Sequence, residues 1–332
     1  MSYEQECTAK FERVVCLVND HSSAAGSNLA RHQLNNLQET FGSRYVEVKT
    51  TGCHEKDVDN LESKLHEGDA LSVAGGDGTN KVAIEATLNG NITGRTENSI
   101  PILSLGLGNG NDMAWIMNGK PGKTSPTEIL ARGRQVGVFP IQTVITHPDG
   151  QKEQHLSASY AGIGVIAHVA ALLNRESYRN RPGYDKKLIR TAYEGLTIAS
   201  RMIKLTVEDP FILEFTDSSE EQVSLFGFNL MNGPRIAKHG RVPVAYEEPR
   251  IFFNVITGRS VPHTSEWLAR LALGKLPKDY IDCYDPPVKF TLKTDNTWAH
   301  FDAEARQYKA DTHFAMGRHE LPFYVLRTNY AA

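Results

Sequence analysis

A cluster of glycines at residues 75–78 is the feature that most limits how this chain can fold. The sequence Gly-Gly-Asp-Gly stands between an apolar run at 70–74 and a helical pattern at 80–90. Glycine weakens strands and helices, so a cluster indicates a tight turn, a close backbone approach or a ligand. Successive N–H groups in such a turn form a concave anion site, which the positive end of a following helix strengthens. The segment therefore predicts a phosphate-binding turn; the alternative is a plain turn with Asp77 as helix N-cap.

A second glycine-rich turn supports the phosphate interpretation. LGLGNGNDMA (105–114) also follows an apolar strand pattern and ends in Asn111-Asp112 before an apolar helical stretch. The charge of Asp77 would repel phosphate alone, but a carboxylate suits a turn that also holds Mg²⁺ or orients a hydroxyl. Two neighbouring strands that deliver such turns to one sheet edge predict a nucleotide site.

The order of strand and helix patterns predicts two domains. Strand and helix signals alternate in the first third, which implies a parallel sheet with right-handed crossovers and ligands beyond its C-terminal strand ends. From about residue 137 strand patterns dominate, as in antiparallel sheets. We predict an α/β nucleotide-binding domain with a parallel sheet at 1–136 and a β-rich, antiparallel sandwich-like domain at 137–332, with the active site in the cleft between them. The C-terminal strand segment is a candidate to return to the first domain.

Composition narrows the class of partner and the compartment. The 332 residues carry a net charge of −3, so no overall basic field recruits nucleic acid. The four cysteines have no metal or redox spacing, and no apolar run approaches the ~20 residues that span a bilayer. The N-terminus is charged where a signal peptide would be apolar. We expect a cytoplasmic protein.

The two turns together resemble the catalytic domain of diacylglycerol kinases and related lipid kinases, including sphingosine kinases. In that family the second turn usually has the sequence G-T-x-N-D-[FL]-A-R; here Asn109 replaces the Thr and Trp115 the Arg. The first strand of the family ends in N-P-x-[SA]-G, and VNDHSSAAG (18–26) is similar to it. VKTTG (48–52), YAGIGVIAHVA (160–170) and HFDAEARQY (300–308) resemble further segments in the family's order, so the likeness covers nearly the whole chain.

The resemblance implies phosphoryl transfer from ATP and Mg²⁺ to a lipid hydroxyl. Asp77 would hold Mg²⁺ or help to deprotonate the acceptor. Asp302 is the first candidate for the general base, with Glu304 two residues on along the same strand face; the sequence leaves the choice between Asp77 and Asp302 open. The implied nucleotide-binding residues are Asn19, Ser22, Thr51, Gly75, Gly76, Gly78, Thr79, Gly108, Gly110, Asn111 and Asp112.

Departures from the family pattern keep two alternatives open. Val82 stands where bacterial members often carry Glu, although Glu85 lies one turn on. Ile166 replaces an Asp, and the segment RIAKHGRVPVAYEEP (235–249) has lost the family's glycine-rich pattern and puts any metal site there in doubt. The alternatives are an NAD kinase, which shares the first turn, and a binding protein without turnover.

Two segments bear on membrane contact. Residues 174–190 are rich in basic residues and tyrosine, and residues 265–277 form an amphipathic pattern. A basic patch at a lipid surface gains about 1 kcal/mol per cation. A solvated helix face and core packing are the alternative interpretations. We expect a lipid acceptor, peripheral contact with a membrane surface and edge strands suited to a homodimer.

Overall fold

The computed structural model describes most of the chain and divides it into two compact units. The first unit is Met1–Pro140 with His319–Ala332, and the second is Ile141–Arg318. The described residues are 3–22, 26–92, 100–107, 113–114, 124–173, 193, 196–197, 200, 211–216, 222–225, 227–232, 235–236, 240–241, 252–256, 266, 270, 281–283, 287–302 and 304–327.

The first unit is built on a six-stranded sheet that is parallel apart from one edge strand. The strand order is β2-β1-β3-β4-β20-β5, in which β5 runs antiparallel to β20. The elements are α1 (Tyr3–Lys10), β1 (Arg13–Val18), α2 (Asn28–Phe41), a 3₁₀ turn (Gly42–Arg44), β2 (Tyr45–Lys49), α3 (His54–Glu62), β3 (Asp69–Ala74), α4 (Asp77–Ile92), β4 (Pro101–Ser104), α5 (Pro126–Arg132), β5 (Arg134–Val138) and β20 (Phe323–Arg327).

Local sequence explains these elements. Strand β3 is buried along its whole length and β1 over all but its first residue, as the unbroken apolar runs of a parallel sheet require. Helix α2 begins where the Ser27 hydroxyl accepts a hydrogen bond from the backbone N–H of Ala30. Its buried face, which includes Leu37 and Phe41, packs into the same core as Val14.

The division between the units follows a proline. Residues 137–146 form one continuous strand pattern in the sequence, but the structure has two strands there, because Pro140 has no N–H for a ladder bond. The two compact units divide after Pro140. The C-terminal strand β20 pairs with β4 and β5, and so lies in the first unit.

The second unit is an antiparallel β-sandwich. One sheet has the order β10-β9-β16-β19-β6-β7, the other β15-β14-β11-β8-β17-β18, and β12 and β13 form a separate pair. The elements are β6 (Ile141–Thr146), β7 (Lys152–Ser157), β8 (Tyr160–Gly164), α6 (Val165–Leu173), β9 (Phe211–Phe215), β10 (Gln222–Leu225), β11 (Gly227–Met231), β12 (Arg235–Ile236), β13 (Gly240–Arg241), β14 (Phe252–Ile256), β15 (Ile281–Cys283), β16 (Val288–Leu292), β17 (Thr297–Phe301), β18 (Glu304–Tyr308) and β19 (His313–Arg318).

The sandwich core contains side chains from both sheets. Phe290 and Phe314 of the first sheet stack with their ring centroids 5.1 Å apart and share one apolar cluster with Ile163 and Phe301 of the second. The predicted fold class, a parallel α/β domain followed by a β-rich sandwich, is confirmed. Within the described ranges, no helix combines the length and the apolar character needed to cross a bilayer.

Candidate functional site

The first glycine-rich turn leads directly from β3 into α4. The carbonyl oxygen of Gly76 accepts hydrogen bonds from the backbone N–H groups of Thr79 and Asn80, each at 3.0 Å, and this closes the first turn of the helix. A Cβ atom on Gly75 would lie 2.3 Å from Oγ1 and 2.5 Å from Cβ of Thr79. Gly75 is therefore required by packing against Thr79, which is itself buried. Gly78 is exposed at the helix N-terminus.

The described residues on either side of the second turn contact the first. The backbone N–H of Leu107 donates to the carbonyl of Gly75 (3.0 Å), and the backbone N–H of Met113 donates to Oδ1 of Asp77 (3.2 Å). The residues on both sides of the second turn are therefore hydrogen-bonded to the first turn, beyond neighbouring parallel strands. The candidates Gly108, Gly110, Asn111 and Asp112 lie outside the described residues.

The turn after β1 reaches the same sheet edge. The side-chain Nδ2 of Asn19 donates to Oγ1 of Thr79 (3.1 Å), and its backbone N–H donates to the carbonyl of Ala74 (3.0 Å). Asn19 thus ties this turn to the first glycine-rich turn. The hydroxyl oxygen of Ser22 is buried and has no hydrogen-bond partner in the part of the chain that the structure describes. A polar atom in that condition suits a ligand oxygen.

Thr51, which follows β2, forms hydrogen bonds that stabilise the turn between β2 and α3. Its hydroxyl donates to Oδ1 of Asp57 at 2.7 Å, and its backbone N–H donates to the same oxygen at 2.6 Å. The other carboxylate oxygen of Asp57 accepts from the N–H of Gly52 (3.3 Å). Sequence reasoning missed Asp57, although an acidic residue in the first turn of a helix is a known capping signal.

A histidine–carboxylate pair joins α3 to α4. Nε2 of His54 lies 2.6 Å from Oε2 of Glu85, and Nζ of Lys81 lies 4.0 Å from Oε1 of Glu85. The hydrogen bond to Glu85 raises the pKa of His54 above its ordinary value, against the opposing effect of burial. Glu85 was noted in the sequence as one turn beyond Val82, whereas its partner His54 was not a candidate.

Asp302 is an anchor for a neighbouring turn. Its Oδ2 accepts from the backbone N–H of Ala158 (2.6 Å), and its Oδ1 accepts from the N–H groups of Ser159 (2.9 Å) and Tyr160 (3.0 Å). Only 5% of the residue is exposed. The prediction that Asp302 and Glu304 share one strand face is wrong, because Asp302 has a φ of 54° and lies in the turn between β17 and β18.

Glu304 lies in a charged network at the start of β18. Oε1 accepts from Nε of Arg306 (2.6 Å), and Oε2 lies 3.9 Å from Nδ1 of His155. Arg306 also donates to Glu153 (2.9 Å), which accepts from the hydroxyl of Tyr308 (2.8 Å). Burial raises the pKa of Glu153, but the Tyr308 hydrogen bond and nearby cations outweigh it, and the net shift is downward. The network joins β18 to β7.

Among the described residues, no cluster of His, Cys, Asp or Glu is arranged as a ligand set for a metal ion. Asp77 is the described carboxylate at the glycine-rich turns, and Asp112, the other acidic candidate there, lies outside the described ranges. A single carboxylate fits Mg²⁺, which commonly takes one or two protein carboxylates and fills its other positions with water and phosphate oxygens.

Comparisons with known proteins support the predicted resemblance. Residues 13–141 match the family model of the diacylglycerol kinase catalytic domain. No curated protein sequence matches the chain significantly.

Solved structures share the fold over nearly the whole chain. A structure from Bacillus anthracis str. Sterne described as a diacylglycerol kinase is 13% identical, with a TM-score of 0.61, and the match covers 97% of this chain and 99% of that one. A candidate diacylglycerol kinase from the same organism is 16% identical with a TM-score of 0.65 and the same coverage. Yeast NADH kinase in complex with NADH is 12% identical, with a TM-score of 0.51 and coverages of 96% and 84%. At these identities the likeness shows the fold alone. The predicted resemblance is confirmed: residues 13–141 match the model of the diacylglycerol kinase catalytic domain.

Proposed function

We propose that this protein transfers a phosphoryl group from ATP to the hydroxyl group of a lipid. One observation carries the proposal beyond the family match. Leu107 and Met113, which flank the second glycine-rich turn, donate hydrogen bonds to Gly75 and Asp77 of the first turn, at the edge of the sheet where parallel strands end. Ligands of α/β folds bind at that edge. Phosphoryl transfer depends mainly on positioning the phosphates and neutralising their charge, which such an edge can supply.

The nucleotide side of the site draws on several parts of the first unit. Helix α4 begins at this edge, and the N-terminus of a helix is suited to phosphate oxygens. The hydroxyl of Ser22, which has no hydrogen-bond partner among the described residues, supplies a further polar contact. We propose that Thr79 and Thr51 hold these turns in place, since their hydroxyls form hydrogen bonds with Asn19 and Asp57. We propose that Gly108, Gly110, Asn111 and Asp112 complete the phosphate contacts.

Asp77 is the carboxylate that we assign to the metal and to the acceptor hydroxyl. Mg²⁺, when bound, would neutralise phosphate charge at the turn. Asp77 is half-buried and is the first residue of α4. Asp302 is less suited to act as a base, because three backbone N–H groups occupy its oxygens. We propose that Asp302 and Glu304 hold the β17–β18 turn in place.

A transfer assay separates this proposal from its two alternatives. The purified protein is incubated with radiolabelled ATP and Mg²⁺ in the presence of a mixed lipid extract and of NAD. Label in the lipid fraction supports the proposal, and label in NAD supports the NAD kinase alternative. Label in neither fraction, with ATP bound in a titration calorimeter, indicates a binding protein without turnover. Asp77→Asn serves as the matched control for background transfer.

A further inference from the structure

One face of α4 carries charges of alternating sign. From residue 79 to residue 90 the helix is buried except at Glu85 and Asn89, and Asp77 at its start is half-buried. Asp77, Lys81 and Glu85 follow one another at intervals of four residues, so they share one face of the helix. The charges along this face are therefore negative, positive and negative, and the series begins at the first glycine-rich turn.

Lys81 is a nearly buried cation between two carboxylates of its own helix. Only 9% of the residue is exposed. Its Nζ lies 4.0 Å from Oε1 of Glu85, one turn further on, and Asp77 lies one turn before it. An ammonium group is costly to remove from water, so a lysine at this depth requires negative charge around it. The charge of Lys81 therefore acts on the same region as the charge of Asp77.

A second helix shares the charge of Glu85. Oε2 of Glu85 lies 2.6 Å from Nε2 of His54 in α3, whereas Oε1 lies 4.0 Å from Nζ of Lys81. The shorter contact holds the carboxylate toward α3, and the longer one is at the outer limit of an ion pair. The ammonium group of Lys81 can therefore turn toward another anion without breaking a short hydrogen bond to Glu85.

The direction of the side chain favours the end of the helix where phosphate is expected. Long side chains of an α-helix lean toward its N-terminus, and α4 begins at Asp77 in the glycine-rich turn. Lysine carries its charge on a flexible four-carbon stem with three donors. The carboxylate of Asp77 repels phosphate, and a cation one turn away offsets that repulsion. Phosphoryl transfer depends on such neutralisation of charge.

We infer that the ammonium group of Lys81 binds the phosphate groups of the nucleotide, with Glu85 and His54 as positioning residues behind it. This inference rests on the proposed function and deepens it, because it adds a binding residue on α4 beyond the glycine-rich turn. It assigns to Lys81 the phosphates of the ligand, as opposed to the base and the ribose.

Titration calorimetry tests the inference without any phosphoryl transfer. Adenosine, AMP, ADP and ATP, which differ only in the number of phosphate groups, are titrated with Mg²⁺ into the full chain and into Lys81→Met. Lys81→Met is expected to bind ATP roughly tenfold or more weakly, as for loss of a charge-assisted hydrogen bond, and adenosine with unchanged affinity. Lys56→Met is the control, because it removes the same charge from an exposed site on α3 and should bind all four ligands normally.

Two results of this titration overturn the inference. One is an unchanged affinity of Lys81→Met for ATP, and the other is an equal loss of affinity for ATP and adenosine. A natural chain that binds none of the four ligands also overturns it. If Lys81→Met does not fold, Lys81→Gln takes its place with the same expected result.

Glu85 distinguishes a phosphate contact from a purely structural ion pair. Glu85→Gln keeps the size of the side chain and removes the charge that competes with phosphate for Lys81. Glu85→Gln is therefore expected to bind ATP at least as tightly as the natural chain. If Glu85→Gln loses as much affinity for ATP as Lys81→Met does, the pair acts by stabilising α4, and the inference is overturned.

The two proposals fail separately. A selective loss of ATP affinity in Lys81→Met, with no transfer of label to any lipid by the natural chain, contradicts the proposed function and leaves this inference standing. Transfer of label to lipid, with normal ATP affinity in Lys81→Met, contradicts only this inference.

Discussion

The carboxylate of Asp77 accepts a hydrogen bond from the backbone N–H of Met113, with Oδ1 and the nitrogen 3.2 Å apart. The first residue of α4 is thereby tied to the segment that follows the second glycine-rich turn. A second link, from the N–H of Leu107 to the carbonyl of Gly75, is formed where that turn begins. The carboxylate of Asp77 is thus held by the segment that follows the second turn. The charge of Asp77 and its hydrogen bond to Met113 can be tested separately.

Replacing Asp77 with Asn should lower turnover by roughly 10²-fold or more while the fold stays intact. The amide oxygen can still accept from Met113, so the change removes the charge and leaves the contact. Steady-state kinetics and urea unfolding measure the two effects. Asp20→Asn is the control, because Asp20 is an exposed carboxylate paired with Lys49. Normal turnover in Asp77→Asn would refute a role in metal binding or proton transfer.

A side chain at Gly75 should destabilise the first unit. In Gly75→Ala the new Cβ would lie within 2.5 Å of two side-chain atoms of Thr79, and overpacking of this kind costs about 1–3 kcal/mol in the free energy of unfolding. Gly26→Ala is the matched control, because nothing lies within 4 Å of a Cβ there. Chemical denaturation of both variants gives the comparison. The same loss should shrink in a Thr79→Gly background, and an unchanged loss would show that the clash with Thr79 is not the cause.

Much of the first unit could be predicted because its signals are local. Strand β3, the glycine-rich turn and α4 are consecutive in sequence, and the alternation of strands and helices implies a parallel sheet. Two glycine-rich turns after neighbouring strands are then expected at one edge, and Leu107 and Met113, which flank the second turn, are hydrogen-bonded to the first.

The features that sequence reasoning missed are formed by residues far apart in the chain. His54 and Glu85 belong to different helices. Nothing in the local pattern of either partner indicates the other. The hydrogen bonds of Asp302 could not be predicted for the same reason, since its three partners are backbone groups of the turn at 158–160, which carry no side-chain signal.

Replacing Asp302 with Asn should destabilise the second unit. Asn tolerates a positive φ, so backbone strain is not introduced. The amide group, however, would present N–H donors to backbone N–H groups, and at least one buried donor would lose its partner, at a cost of about 1–3 kcal/mol. Asp311→Asn is the control, since Asp311 also has a positive φ (59°) but its side chain is 71% exposed. A stable Asp302→Asn variant that has lost turnover would instead favour the base role predicted from the sequence.

The His54–Glu85 pair should make stability depend on pH in the neutral range. The pKa of His54 is raised in the folded protein by its hydrogen bond to Glu85, while burial and Lys81 act against the shift and Glu55 acts with it. A raised folded pKa means that the stabilisation is fully present below the unfolded value of 6.5 and is lost as pH rises through the folded value. In urea unfolding, the free energy of unfolding of the natural chain should therefore exceed that of His54→Gln by more at pH 5.5 than at pH 8.5. These two pH values lie about one unit below and about two units above the unfolded pKa. His32→Gln, an exposed change in α2, should show no such trend. If the difference in free energy of unfolding between the natural chain and His54→Gln stays constant with pH, the imidazole of His54 is neutral in the pair. That result would contradict a charged His54–Glu85 pair.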